Sequence, residues 1–461
     1  MLKLGILFGG RSAEHDISIL SAASVSDAVD KKKFIPIHIG INRKGQWFII
    51  DSDMSNLTSL EDKRIETLIP GSVSALNNKA DSQENNQASA TCAKPLNPGD
   101  LSKHIDFALP LLHGPYGEDG KIQGLFEMLD IPYGGSGVTA SALAMDKLFA
   151  RDVFIRNGLP VCRHLSVFEA DYREDRSSVL TYIEKEIGFP VFIKPANLGS
   201  SVGISKITNP KHLDTALETA FSFDYRVVVE EAIDAMELEI AMLGNTGAIL
   251  GTSYIPQDHP LYSAGAAVFS DNSQASDRSN RTSDSTHAKT FPESSQASDL
   301  LSRAAYSTHP KAFPESSQAS DRSGQTSYYP GVQAAAVGEI KADSEFYDYD
   351  AKYKSAGTQM IIPAEIPTQI AEQIRSLAVS AYKSLNCEGF ARVDFFLDRK
   401  SGRIMVNEIN TIPGFTRYSM FPLLWRAAGV EYPVLIERII GLGYERYYTK
   451  NYREANHHVR Q

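Results

Sequence analysis

Along the chain, short apolar runs alternate with amphipathic stretches. LKLGILF at 2–8 predicts a buried strand, GGRS a turn, AEHDISILSAASVSDAVD at 13–30 an amphipathic helix and FIPIHIGI at 34–41 a second strand, a βαβ opening. Residues 71–100 are polar and rich in Asn, Ser and Ala, and predict a long loop. HIDFALPLLHG at 104–114 predicts a buried strand, followed by the loop GPYGEDG and a helix over KIQGLFEMLD at 121–130. In a second unit a helix is expected with Asp146 as N-cap, Gly158 as its stop and Pro160 barring continuation. PVFIKP and VGISKI predict strands on either side of ANLGSS, YRVVVEEAI a further apolar strand, and ELEIAMLG the opening of a third unit.

The pattern breaks over about 258–333. SQASD recurs at 273–277, 295–299 and 317–321, and no copy carries a helical or strand stripe. With Ser, Thr, Ala, Asp and Pro dominant and few large apolar residues to offset the entropy of ordering, the segment predicts a disordered insertion into a domain that resumes at GEIKADSEFYDYDAKY.

RVDFFLDRKSGRIMVNEIN at 392–410 predicts two alternating strands about a polar turn. Residues two apart on a strand share a face. With the turn on Lys400, Ser401 and Gly402, Asp394 falls opposite Glu408 and Arg392 opposite Asn410. Two carboxylates and an amide oxygen on one face form a hard donor set, of the kind Mg²⁺ takes beside substrate phosphates. An exposed salt-bridge ladder explains the same residues equally well in isolation.

Length and composition limit the function classes. A chain of 461 residues predicts two to four domains, and 42% hydrophobic with 22% charged residues is ordinary for a soluble globular protein. A formal net charge of −10 argues against a nucleic-acid binder. Cys92, Cys162 and Cys387 are far apart without a CxxC, so neither a disulfide framework nor a zinc site is expected. The start lacks the features of a signal peptide and no apolar run reaches the roughly 20 residues of a membrane span. A cytoplasmic location and no membrane partner are expected.

Phosphate-type chemistry has further candidates. KPANLGSSVG sets Lys194 at a strand end, before a turn of small residues whose N–H groups can approach a phosphate, although an ordinary hairpin loop has the same composition. Lys147, just after the Asp146 cap, opposes the helix dipole and so suits a bound anion, or is simply exposed. FGGRSAEH lacks GxGxxG, and Glu14 would repel a pyrophosphate; it suits a ligand ammonium, or merely complements the helix dipole. HGPYGEDG offers His113, Glu118 and Asp119, or a polar turn with a capping acid.

In order along the chain, LFGGRSAEHDIS, LHGPYGEDGKIQG, ALAMDK, IKPANLGSSVG, FYDYDAKY and GFARVDFF…NEINTIPGFT resemble the D-alanine–D-alanine ligase family of the ATP-grasp superfamily, over nearly the whole chain except about 71–100 and 258–333. The resemblance implies an α/β ATP-grasp fold: a flavodoxin-like N-terminal domain at 1–136, a central subdomain at 137–230, a catalytic subdomain at 231–450 that holds the insertion, and a tail at 451–461. It implies ADP-forming ligation of two D-alanines for peptidoglycan synthesis, ATP as co-substrate, two Mg²⁺ ions with Mn²⁺ as an alternative, and a homodimer.

By motif position, the resemblance implies Asp394, Glu408 and Asn410 as metal ligands, and Arg392 with the Gly414 N–H as oxyanion stabilisers. Lys147 and Lys194 would hold the α- and β-phosphates, Glu237 the ribose, and the strand end at Glu230 and Ile233 would face adenine. Glu14 would bind the first D-alanine's ammonium with His113 nearby. Lys352 and Ser419 would hold the second carboxylate, with Lys352 also in reach of the γ-phosphate. Tyr353 would link to Ser200 and Glu14 in a lid. Relatives that make D-alanine–D-lactate lack DAKY, so Lys352-Tyr353 resembles the dipeptide-forming type. Ala235 departs from the glycine common before the ribose acid. A different carboxylate–amine ligase and an ATP-binding protein inactivated by its repeats are the competing readings; a NAD-dependent dehydrogenase fails for want of GxGxxG.

Overall fold

The computed structural model describes residues 1–71 except 53, 56, 58, 61 and 63, and residues 92–199, 201–246, 331–341 and 359–459. Three sheets organise them.

The first contains β1 (Leu2–Gly9), β2 (Phe34–Ile41), β3 (Trp47–Asp51), β4 (Cys92–Leu96) and β5 (Phe107–Pro110), with helices α1 (His15–Ala28), α2 (Arg64–Leu68) and α3 (Lys121–Met128). β1 lies parallel between β2 and β5, the flavodoxin-type order 2-1-3 among these parallel strands, while β3 and β4 extend the edge antiparallel. The expected loop at 71–100 is therefore shorter: 92–96 pair with Trp47–Asp51, and Pro98–Lys103 wind into a 3₁₀ turn capped by the Asn97 side chain. At five residues, with Lys94 and Pro95 in place of β-branched or aromatic side chains, β4 carries little strand signal of its own.

The second sheet follows helices α4 (Val138–Met145) and α5 (Lys147–Arg156). It joins β6 (His164–Phe168), β7 (Val191–Pro195), β8 (Ser205–Ile207) and β9 (Arg226–Glu231) in the order β6-β9-β7-β8, with α6 (Glu169–Glu174), α7 (Arg176–Glu186) and α8 (Leu213–Phe221). Asp146 caps α5 as expected, accepting the Leu148 and Phe149 N–H groups at 3.1 Å each. Gly158 ends it in the left-handed region at φ 73°, with Leu159 N–H returning to Phe154 O. Glu231 still pairs with Val191, so this sheet runs one residue past the expected boundary at 230.

The third sheet contains β10 (Ala235–Gly244), β11 (Val332–Lys341), β12 (Gln359–Ile361), β13 (Phe390–Asp398) and β14 (Ile404–Asn410), in the order β12-β11-β10-β13-β14, with helices α9 (Thr368–Ser384), α10 (Met420–Ala427) and α11 (Tyr432–Val459). Alternation gives it two faces. Leu238, Ile240 and Met242 of β10 and Ala391, Val393 and Phe395 of β13 join a core with Ile374, Ala378 and Tyr382 of α9. On the other face Ala241, Leu243 and Phe390 pack under Phe415 and the α10 residues Phe421 and Trp425. The same face carries Arg392, Asp394 and Glu239, which lie beyond that cover. The helix α11 runs on to Val459, so most of the expected tail is continuous helix.

β10 and β11 are antiparallel neighbours, and Gly244 pairs with Val332. The connection 245–331 thus leaves and re-enters at adjacent strand ends, and the expected insertion stops short of 333 because Val332 and Gln333 are strand. The rest of the insertion, 258–330, lies outside the described residues. Since Gly244 and Val332 already pair at the ends of the whole connection, deleting 258–330 is expected to leave the melting temperature unchanged or slightly higher, loop closure being worth about 1–2 kcal/mol for this shortening. A fall of many degrees in a thermal melt would overturn that.

Candidate active site

β13 and β14 place the predicted constellation together. Asp394 lies opposite Glu408 and Arg392 opposite Asn410. The route to this register differs from the expected turn. Four residues, 399–402, close the hairpin between Asp398 and Arg403, whose N–H and C=O bond at 2.9 Å. A bulge at Asn407 then adds one residue to β14, between Val406 opposite Phe395 and Glu408 opposite Asp394. The bulge turns Glu408 and Asn410 onto the face that bears Asp394, and keeps Ile409 in the core.

Arg392 grips Asp394 bidentately, Nε to Oδ1 at 2.7 Å and Nη2 to Oδ2 at 2.6 Å, and Nε lies 3.0 Å from Glu239 Oε2. Asn410 donates its amide to Asp394 at 2.9 Å, which leaves Oδ1 as its acceptor end. Glu239, opposite Asp394 on β10, makes a third carboxylate in a row across three strands. It was missed in the sequence, although Glu237-Leu238-Glu239 has the same two-apart spacing as Arg392 and Asp394. Burial pulls the Arg392 guanidinium down, but Asp394 and Glu239 outweigh it and hold it well above its usual range.

These groups line one cavity of about 1080 Å³ that also takes in Glu14, Glu118, Lys147, Lys194, Glu230, Ile233 and Glu237. On β7 and β9 the odd residues Val191, Ile193, Val227 and Val229 enter the second sheet's core. Lys194 and Glu230 lie at the alternate positions, and Lys194 Nζ donates to Glu230 Oε1 at 2.7 Å. Arg151 of α5 pairs with the other oxygen of Glu230. Burial pushes the Glu230 carboxyl up, but Arg151 and Lys194 together hold it down at about 2. A depressed carboxyl stabilises the fold above its ordinary 4.5 and loses that contribution as pH falls towards 2. The stability gap between the wild type and Glu230→Gln is expected to close over that window in denaturant melts at stepped pH. A constant gap would show that these cations do not hold Glu230.

Lys147 sits at the first turn of α5. Its N–H donates to Ala196 O at 2.9 Å and its Nζ to Leu198 O at 2.5 Å, which ties it to the ANLGSS loop, and burial lowers its pKa. Glu14 is buried just before α1. Gly114, at φ 72°, lies so close that a Cβ there would come 2.8 Å from Glu14 Oε2. Glu118 accepts N–H from Gly114 at 2.8 Å and from Ile412 at 3.0 Å; burial, then the Glu14 charge, pushes it up to about 8. Asp119, one residue before the Gly120 N-cap of α3, ties the turn together by accepting from Tyr116 N–H and Lys121 N–H.

His113 does not line the cavity. Its Nδ1–H donates to Ile412 O at 2.8 Å and its Nε2 lies 3.0 Å from the Ser21 hydroxyl. His113 and Glu118 thus hold both polar groups of the Ile412 peptide, two residues before Gly414. Ser419 stands beside Gly414, where a Cβ would lie 3.2 Å from Ser419 Oγ, and it accepts from Thr416 N–H at 3.1 Å. Ser200, Lys352 and Tyr353 lie outside the described residues. Among the described residues no three His, Cys, Asp or Glu side chains converge on one point as a metal cluster does, and no helix is long and apolar enough to cross a membrane.

A β-hairpin with carboxylates and an amide on one face, joined through one cavity to Lys194 of a separate antiparallel sheet and Lys147 of the helix before it, defines the class: an ATP-grasp fold. The N-terminal model of D-ala D-ala ligase matches residues 3–136 and the C-terminal model residues 153–303 and 330–441, so the chain belongs to the D-alanine–D-alanine ligase family, whose members use ATP. A D-alanine–D-alanine ligase of Bacillus pumilus (strain SAFR-032) is 36% identical over 97% of this chain and 98% of its own, and one of Geobacillus kaustophilus (strain HTA426) is 36% identical over 97% and 96%. Among solved structures, the D-alanine-D-alanine ligase from Coxiella burnetii aligns with a TM-score of 0.66 at 25% identity over 100% of both chains. A D-Ala:D-Ser ligase from Enterococcus faecalis aligns at 0.63 and 27%, over 96% of this chain and 99% of that one.

Proposed function

We propose that the protein joins two D-alanines into D-alanyl-D-alanine for peptidoglycan, releasing ADP and phosphate, as a homodimer in the cytoplasm. The observation that carries this reading is the single cavity that unites Lys147 and Lys194 with the Arg392, Asp394, Glu408 and Asn410 face. The first D-alanine's carboxylate attacks the γ-phosphate and ADP leaves; the second D-alanine's amine attacks the acyl phosphate and phosphate leaves.

Both steps concentrate negative charge, so the chain's contribution is electrostatic and positional. Lys147 and Lys194 hold the α- and β-phosphates, Glu237 the ribose, and Ile233 with the strand end at Glu230 the adenine. Glu14 holds the first substrate's ammonium, with His113 acting behind it by bracing the Ile412 segment. Arg392 and the Gly414 N–H face the oxyanion of the second step, and Ser419 with Lys352 the second carboxylate. Tyr353, with Ser200 and Glu14, excludes water from the acyl phosphate. The oxygen donors Asp394, Glu408 and Asn410 suit Mg²⁺ or Mn²⁺, which when bound neutralises phosphate charge. Three domains follow: 1–136 for substrate, 137 to about 231 and the remainder for the nucleotide between them.

ADP release by the purified chain with Mg²⁺-ATP, with D-alanine and with L-alanine as control, tests the reaction. D-alanine-dependent release with dipeptide detected supports it. Turnover only with D-serine or D-lactate as acceptor would move the assignment to another ligase, and ATP binding without turnover would leave a binding protein.

A further inference from the structure

Arg151 has no task in the reaction above. It sits on α5 at 2% exposure and does not line the cavity, and its Nε and Nη1 have no hydrogen-bond partner among the described residues. Among the described residues its one ion pair is with Glu230, whose second oxygen holds Lys194. Lys194 does line the cavity. Glu230 is therefore gripped by two cations on one face of the sheet: Arg151 from α5, which packs there through Leu148 against Val228, and Lys194, which lines the site.

We propose that Arg151 is a positioning residue for nucleotide binding: by holding Glu230 from α5, outside the cavity, it allows Lys194 to leave that carboxylate for a phosphate. If Lys194 were the only cation on Glu230, its departure would strand a buried carboxylate, which is costly. With Arg151 in place the carboxylate keeps a counter-ion whether Lys194 faces it or a phosphate. A guanidinium suits the role because it stays protonated when buried, where an ammonium readily loses its proton. The inference rests on the cavity being the nucleotide site.

Titration calorimetry of the full chain with Mg²⁺-ADP separates the two readings. A wild type that does not bind ADP overturns the nucleotide site itself. With a binding wild type, Arg151→Met is expected to raise Kd at least tenfold and Arg151→Lys to restore part of the loss, with KM for D-alanine at saturating ATP unchanged. In a Glu230→Gln background, where no carboxylate detains Lys194, adding Arg151→Met is expected to change Kd less than threefold. An Arg151→Met Kd within twofold of wild type, or an equal loss in the Glu230→Gln background, overturns the proposal. If Arg151→Met alone does not fold, the comparison of Glu230→Gln with the double variant, which removes both charges, decides.

Discussion

Asp394→Ala is expected to lower D-alanine-dependent ADP release by about 10²–10³-fold or more, the scale on which removing one group that meets transition-state charge is felt. Asp394 joins every other member of the constellation: it lies opposite Glu408 and Glu239, accepts both arms of Arg392 and takes the Asn410 amide. Its loss removes a metal-type donor and also the acceptor that orients Arg392 and Asn410. The fold should persist, because Glu239 still lies 3.0 Å from Arg392 and keeps the guanidinium from being stranded. A loss of about 1–3 kcal/mol is the expected stability cost. Coupled-enzyme assay and thermal melt together check both halves. Activity within tenfold of wild type would sink the role of this face, and an unfolded variant would show that Glu239 does not compensate.

How far the site was legible depends on the distance over which its determinants act. The Asp394–Glu408 register follows from alternation and a nearby turn, both local signals, and the structure has it. The expected turn was one residue out of step with the observed four-residue loop, and the bulge at Asn407 restores the count. Alternation conceals such a bulge, because MVNE offers no Gly or Pro to mark where the parity changes. Asp146 and Gly158 were legible because a cap acts within four residues. Glu239 and Arg151 were not. Each acquires its meaning from a strand or helix far along the chain, and in the sequence each is one charge in an ordinary amphipathic pattern. The bracing of Ile412 by His113 and Glu118 spans about three hundred positions and has no local signature at all. The parallel trio of the first sheet could be read from apolar runs, whereas the edge strand at 92–96 depends on pairing with Trp47–Asp51.

The carboxylate row makes a second variant informative in a different way. In Arg392→Met, Glu239, Asp394 and Glu408 keep their neighbouring places across three strands but lose the cation among them. Removing one partner from a buried ion pair costs about 3–5 kcal/mol, because the remaining charge is uncompensated. The melting temperature should therefore fall by several degrees, more than in Asp394→Ala, and turnover should be lost with the oxyanion's guanidinium. Millimolar Mg²⁺ supplies the missing positive charge to the same oxygens, so it should raise the melting temperature of Arg392→Met by more than that of the wild type, in the absence of nucleotide. An equal shift in both proteins would mean that the row does not attract the ion without ATP. An unchanged melting temperature in the variant would mean that the three carboxylates escape their mutual repulsion by protonation or movement, and that Arg392 is not what holds this face together.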